Sequence, residues 1–80
     1  MAKKVAIYTT RTCSYCAAAK KLLISKKVDF EEIDVTDDEA MRKKLIEMAG
    51  GRETVPQIFV DGKPVGGYDD LVRDFGRIFS

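Results

Sequence analysis

The sequence predicts an α/β fold, in which a mixed four-stranded sheet carries helices on both faces in the order β-α-β-α-β-β-α. Apolar runs of strand length alternate with segments of helical periodicity. A strand, a helix and a strand in succession predict a parallel pair with a right-handed crossover. The Asp61-Gly62 pair between the last two strands is a tight-turn signal, which predicts an antiparallel hairpin. We expect residues 1–80 to form a single domain.

The first three elements are a buried strand, a helix and a half-buried strand. Residues 3–9 contain a continuous apolar run, which is typical of a central strand covered on both faces. Residues 14–25 lack Gly and Pro, and their apolar positions recur at helical spacing. The stripe consists of Cys16, Ala18, Ala19, Leu22 and Leu23. Hydrophobic and acidic residues then alternate over 28–35, so we expect a strand with one partly wet face.

A second helix, two short strands and a last helix complete the predicted order. Thr36 and Glu39 fit a capping box, which predicts Thr36 as the N-cap of the second helix. Gly50 is expected to end that helix in the left-handed conformation. A strand over 57–60 and a shorter one after the turn precede an amphipathic helix over 68–79. The apolar set of this helix is Leu71, Val72, Phe75, Ile78 and Phe79.

The composition argues against several classes of protein. The chain carries 14 basic and 13 acidic side chains, so a nucleic-acid binder with a strongly basic face is not expected. No stretch approaches the roughly 20 apolar residues of a membrane span, and the first residues turn polar too soon for a signal peptide. We therefore expect a cytoplasmic protein without membrane contact. A local basic cluster is interpreted as a solvated helix face: Lys20, Lys21, Lys26 and Lys27.

The only cysteines, Cys13 and Cys16, form a C-x-x-C pair where the first loop meets the first helix. Residues three apart lie on one helix face, close enough for a disulfide. Such a pair beside a βαβ unit is typical of thioredoxin-like redox motifs. Cys13, at the helix tip, is expected to be the exposed nucleophilic thiolate, with Arg11 adding positive charge. Cys16 is expected to point toward the sheet and to act as the resolving thiol.

Two other interpretations of the cysteines stay open. A tetrahedral zinc site needs four ligands, so two cysteines without a histidine would have to share the metal with a second chain. Alternatively, both cysteines belong to the core and have no chemistry. A purely stabilising disulfide explains the pair poorly, because it would close a very small loop.

Two further motifs suit a peptide-like ligand. Thr54, Val55 and Pro56 directly precede a strand, and a cis Val55–Pro56 bond would turn the main-chain N–H and C=O of Val55 outward for strand addition. Gly66 and Gly67 precede the last helix, whose first N–H groups are able to hold a carboxylate. The acidic residues that open this helix also fit ordinary helix capping.

Together these motifs resemble the glutaredoxins of the dithiol type. The resemblance rests on T-C-S-Y-C at 12–16, T-V-P-Q-I-F at 54–59 and G-G-Y-D-D-L at 66–71, in the family's order and approximate spacing. It covers nearly the whole chain. It implies a thioredoxin-like fold, a cis bond before Pro56, and a glutathione-dependent thiol–disulfide oxidoreductase. The implied protein is a monomer that reduces protein disulfides and glutathionylated proteins.

The resemblance also implies a role for each position. Cys13 attacks disulfides and holds glutathione as a mixed disulfide, while Cys16 resolves protein disulfides. The residues expected to contact glutathione are Tyr15, Thr54, Val55, Pro56, Gly67, Tyr68 and Asp69. Val55 would pair its main chain with the cysteinyl part of the tripeptide. Asp69 would take the amino group of the γ-glutamyl end, whose carboxylate would lie on the neighbouring N–H groups.

Three positions depart from the family's usual pattern, and one of them is Tyr68, where many members have a cysteine that would add a thiol. Thr10 stands where many members have lysine, so the glycyl carboxylate of glutathione needs another cation, for which Arg11 and Arg52 are candidates. Ser14 stands where the commonest dithiol motif has proline. Some members without that proline bridge a [2Fe–2S] cluster between two subunits, so a cluster-bridged dimer holding its cluster through Cys13 is an alternative function. A redoxin reduced by a thioredoxin reductase is another.

Overall fold

The computed structural model describes residues 4–51 and 54–79, which contain seven elements in the predicted order. The strands are β1 (Val5–Thr9), β2 (Glu31–Asp34), β3 (Gln57–Val60) and β4 (Lys63–Gly66). The helices are α1 (Ser14–Ser25), α2 (Glu39–Met48) and α3 (Tyr68–Ile78). None of the helices in this described part of the chain is long and apolar enough to cross a membrane.

The four strands form one mixed sheet in the order β2-β1-β3-β4. β1 and β2 run parallel, with Tyr8 opposite Ile33, and β3 is antiparallel to both of its neighbours. Residues with positive φ occupy both predicted turns: Gly50 after α2, at 71°, and Asp61 and Gly62 between β3 and β4, at 53° and 82°. The predicted sheet and its hairpin are thus confirmed.

Helices cover both faces of the sheet, as predicted. α1 and α3 pack on one face, where Ile7 and Ile58 of the central strands meet Ala19, Leu23 and Leu71, all fully buried. α2 packs on the other face around a smaller cluster, which consists of Val35, Leu45 and Phe59. Burial of two apolar layers against one sheet accounts for the stability of so short a chain.

The sheet topology brings three chain segments to one end of the molecule. Because β1 and β3 are antiparallel with Tyr8 opposite Gln57, the loop that leaves β1 and the loop that enters β3 emerge side by side. β4 is antiparallel to β3 and ends with Gly66 opposite Ile58, so the start of α3 lies at the same end. The cysteine motif, the segment before β3 and the first turn of α3 therefore meet.

Two expectations about the helices are wrong. Asp38, and not Thr36, caps α2, because its carboxylate accepts the main-chain N–H three residues further on at 2.9 Å. The Thr36 hydroxyl instead accepts the N–H of Arg11 at 2.9 Å, which ties the loop after β1 to the loop after β2. Val72 is half exposed, because it lies beside the apolar stripe of α3 and not on it.

The packing of α1 on the sheet predicts a large difference between two adjacent positions. Leu23 is fully buried, whereas Ile24 is 65% exposed. We expect Leu23→Ala to lower the free energy of unfolding by about 2–5 kcal/mol, since it leaves a cavity in the core. Ile24→Ala should change it by about 0.5 kcal/mol or less. Urea denaturation under reducing conditions measures both, and similar losses would contradict this packing.

Candidate active site

The sulfur of Cys13 lies at the N-terminus of α1. Cys13 is the N-cap residue, and its Sγ accepts the main-chain N–H of Cys16 at 3.2 Å. The Cys13 thiol donates to the main-chain oxygen of Val55 at 3.5 Å. The side chain is half-buried. The predicted nucleophile thus occupies a cap position, where unsatisfied N–H groups and the helix dipole favour negative charge.

Cys16 lies one turn inside α1 and is only 2% exposed. Burial, with a smaller contribution from the hydrogen bond to Cys13, raises the pKa of the Cys16 thiol to about 12. A main-chain contact with Thr10 and the charge of Lys20 act in the opposite direction. Cys16 therefore stays protonated at neutral pH. Both cysteines are free thiols of unequal exposure, in agreement with the predicted difference between them.

Val55 and Pro56 line a cleft of about 200 Å³ together with Tyr15, Tyr68 and Asp69. The Val55–Pro56 bond is cis, as expected. The ring centroids of Tyr15 and Tyr68 are 6.0 Å apart, and Tyr15 is 60% exposed. This cleft therefore brings together most of the residues predicted to contact glutathione.

Thr54 is held in place by a buried side chain that sequence reasoning missed. The amide of Gln57 donates to the Thr54 carbonyl oxygen at 2.7 Å and to the Thr54 hydroxyl at 3.2 Å. Gln57 is only 1% exposed and begins β3, so it anchors the loop before Pro56 to the sheet. The signal in the sequence was a polar residue opening an otherwise apolar strand.

The first turn of α3 closes the cleft on another side. Gly67 caps this helix, and its N–H donates to the carboxylate of Asp70 at 3.0 Å. A methyl group on Gly67 would lie 3.5 Å from the carbonyl oxygen of Pro56, so the two segments are in near contact. Because the Gly67 N–H is used within the cap, a carboxylate at this helix would be held by the N–H groups of Tyr68 and Asp69.

Of the two cations predicted for the glycyl carboxylate, the structure describes only Arg11. Arg11 forms an exposed ion pair with Asp37, and Arg52 lies outside the described residues. Val55 also lines a second, larger cleft, of about 440 Å³. Its cationic lining comes from α2 and consists of Arg42 and Lys43. Sequence reasoning missed these two residues, because only the packing of α2 places them in the same cleft as Val55.

The described residues contain no group of three His, Cys, Asp or Glu side chains that could hold a metal ion. The alternative of a dimer bridged by a [2Fe–2S] cluster uses Cys13 of each chain together with glutathione and needs no such group. Nothing in the structure tests this alternative, and it stays a prediction.

A family model and curated sequences give the first comparison with known proteins. The model of the glutaredoxin family matches residues 5–65. Glutaredoxin 3 of Escherichia coli K12 is 51% identical over 67 residues, which cover 84% of this chain and 80% of the relative. Glutaredoxin 1 of Rickettsia prowazekii is 48% identical over 68 residues, which cover 84% and 72%.

Solved structures give the same result for the fold. Glutaredoxin 1 of Francisella tularensis, complexed with cacodylate, superimposes with a TM-score of 0.84 at 34% identity and covers 96% of both chains. A buckwheat glutaredoxin in complex with glutathione superimposes with a TM-score of 0.81 at 25% identity, over 94% of this chain and 70% of the other. The thioredoxin-like fold is thereby confirmed.

The burial of Cys16 predicts a low reactivity toward alkylating agents. A rise in its pKa from 9.0 to about 12 lowers the thiolate fraction at neutral pH about a thousandfold. In the Cys13→Ser protein, iodoacetamide should therefore modify Cys16 at least about a hundredfold more slowly in the native state than in urea. The native rate should still be rising with pH above pH 9. Mass spectrometry follows the reaction, with Cys13 in the Cys16→Ser protein as the accessible control. Comparable native and urea rates would contradict the sheltered position.

Proposed function

This chain belongs to the glutaredoxin family of thiol–disulfide oxidoreductases, and from this premise we propose that glutathione is its reductant. The proposed substrates are glutathione mixed disulfides and protein disulfides. The observation that carries the proposal is the juxtaposition of the Cys13 sulfur with the Val55 main chain, beside a cleft that ends at Asp69. A relative of the same fold is described in complex with glutathione.

The first step is attack by the Cys13 thiolate on the glutathione sulfur of a mixed disulfide. A bond forms between Cys13 and glutathione, the bond to the target protein breaks, and the target leaves as a thiolate that takes up a proton. The N–H of Cys16, 3.2 Å from the Cys13 sulfur, stabilises the charge before the attack. A second glutathione then attacks the bound glutathione, so that glutathione disulfide leaves and Cys13 returns as a thiolate.

The reduction of protein disulfides requires both cysteines. Cys13 attacks one sulfur of the target and forms a mixed disulfide with it. Cys16 then attacks the sulfur of Cys13, which closes the Cys13–Cys16 disulfide and releases the target as a dithiol. Two glutathione molecules reduce the enzyme again in two exchanges, and they leave as glutathione disulfide.

The tripeptide is proposed to lie along Val55. In the free protein the Val55 carbonyl oxygen accepts a hydrogen bond from the Cys13 thiol. Once that proton is lost, or once glutathione is joined to Cys13, the carbonyl becomes available to an N–H of the tripeptide. The γ-glutamyl carboxylate would then lie at the first turn of α3, with its amino group at Asp69. The glycyl carboxylate would point toward Arg42 and Lys43 in the neighbouring cleft.

A glutathione-coupled reductase works in a reducing compartment, because the oxidised and reduced forms must both be accessible from the glutathione pool. We therefore propose that the protein is cytoplasmic. We also propose that it acts as a monomer of one domain. Size-exclusion chromatography of the reduced protein, with and without glutathione, tests the monomer.

The proposed roles predict opposite behaviour of the two cysteine variants. Cys13→Ser should lower turnover of a glutathionylated protein by at least about a thousandfold, since the nucleophile is lost. Cys16→Ser should keep this turnover within a few-fold of the wild-type rate but lose the reduction of protein disulfides by the dithiol route. NADPH consumption coupled through glutathione reductase measures both reactions.

A parallel assay with a thioredoxin reductase in place of glutathione and glutathione reductase serves as the control for the reductant. Equal losses in the two cysteine variants would contradict the assigned roles. Turnover that occurs only with the thioredoxin reductase would contradict glutathione as the reductant.

The cleft on α2 predicts a charge-dependent effect on glutathione recognition. Lys43→Gln removes a cation from the lining, so the KM for a glutathionylated peptide should rise about three- to tenfold, with kcat little changed. Lys44→Gln is the matched control, since Lys44 is the next residue of α2 and is exposed outside this lining. Equal KM values for the two variants would contradict the assignment.

A further inference from the structure

Cys16 must carry negative charge in a buried place when it attacks Cys13. Its thiol is 2% exposed, and burial raises its pKa to about 12. The chain contains no histidine to act as a base. A nearby positive charge would lower the cost of forming this thiolate, because Coulomb attraction is strong where water is excluded.

Lys20 is placed to supply that charge. It follows Cys16 by four residues in α1, so the two side chains lie on the same face of the helix. Only 33% of the Lys20 side chain is exposed. Its ammonium donates to the Glu32 carboxylate at 2.9 Å, and the same oxygen accepts the hydroxyl of Thr9 at 2.8 Å. Lys20 is therefore partly exposed, as expected for a solvated helix face, but its ammonium is held at a fixed position by Glu32.

The partners of Lys20 are fixed by the sheet. Glu32 of β2 stands opposite Ile7 of β1, on the face that α1 covers. Thr9 is only 1% exposed and ends β1, directly before the loop that carries the cysteines. The hydrogen bonds from Lys20 and Thr9 hold the pKa of Glu32 below its usual range. Glu32 is therefore ionised at neutral pH and keeps the ammonium at this end of α1.

We propose that Lys20, held by Glu32 and Thr9, is a positioning residue for the resolving step: its ammonium stabilises the negative charge that develops on the sulfur of Cys16. This inference rests on the proposed role of Cys16 as the resolving thiol. The inference assigns this role to Lys20 and not to Lys21, which is exposed on the neighbouring face of α1.

The proposed step is balanced without any further reactant. The sulfur of Cys16 forms a bond to the sulfur of Cys13, and the bond between Cys13 and the target sulfur breaks. The target sulfur leaves with the electron pair and takes up the proton that Cys16 gives up, directly or through water. Lys20 keeps its proton and acts by its charge. Among the residues that the structure describes, the other ionisable groups that act on the pair are Cys13, beside Cys16, and Glu32 and Asp34 on β2.

The test compares Lys20→Met with the matched control Lys21→Met in two reactions. Reduction of a protein disulfide in a single turnover, which requires Cys16, should slow about tenfold in Lys20→Met and by less than twofold in Lys21→Met. The midpoint of the pH dependence of this rate should rise by about one pH unit, because a tenfold change in the thiolate fraction corresponds to one pKa unit. Turnover of a glutathionylated peptide in the Cys16→Ser background, which bypasses Cys16, should not respond to Lys20→Met. Lys20→Arg keeps the charge and should restore most of the rate.

Several outcomes would overturn the inference. These are an unchanged resolving rate in Lys20→Met, an equal slowing in the Cys16→Ser background, or a Lys20→Arg rate as low as that of Lys20→Met. If Lys20→Met does not fold, Lys20→Gln replaces it in the same test, with the same expected rates. Full protein-disulfide reduction by Cys16→Ser alone would instead show that the proposed role of Cys16 is wrong, and this result is distinct from a failure of Lys20.

Discussion

The two main-chain contacts of the Cys13 sulfur organise the reactive end of this molecule. The N–H of Cys16 draws the sulfur to the start of α1 at 3.2 Å, and the carbonyl of Val55 draws it to the loop before β3 at 3.5 Å. The contact with Cys16 is the N-cap of α1 itself, whereas the contact with Val55 depends on the antiparallel pairing of β1 with β3, which brings the two loops to one end of the sheet. The same sulfur therefore lies at the positive end of the helix dipole and beside the cleft proposed for the tripeptide.

The difference between the two thiols follows from core packing. The stripe of α1 that buries Ala19 and Leu23 also includes Cys16, so the second cysteine is sheltered by the same contacts that attach the helix to the sheet. Cys13 precedes this stripe at the helix tip and stays half-buried. The polar group of Thr9, Glu32 and Lys20 lies at the edge of that core, where it holds a positive charge near the sheltered thiol. The layer between α1 and the sheet therefore contributes both to the stability of the fold and to the difference between the two thiols.

The features that could be predicted from the sequence are those that depend on neighbouring residues. The limits of α1, the hairpin turn and the unequal cysteines follow from local spacing, and all agree with the structure. The cap of α2 could not be predicted, because Thr36 and Asp38 both carry a suitable oxygen and only the loop contact to Arg11 removes Thr36 from competition. The positions of Arg42 and Lys43 beside Val55 depend on how α2 packs, and no local pattern contains that information.

The most direct test of the central claim is an experimental structure of the Cys16→Ser protein with glutathione joined to Cys13 by a disulfide. We expect the cysteinyl residue of glutathione to pair with the main chain of Val55, with the γ-glutamyl end at Asp69 and the glycyl carboxylate toward α2. A tripeptide that makes no main-chain contact with Val55, or that extends away from both clefts, would contradict the account.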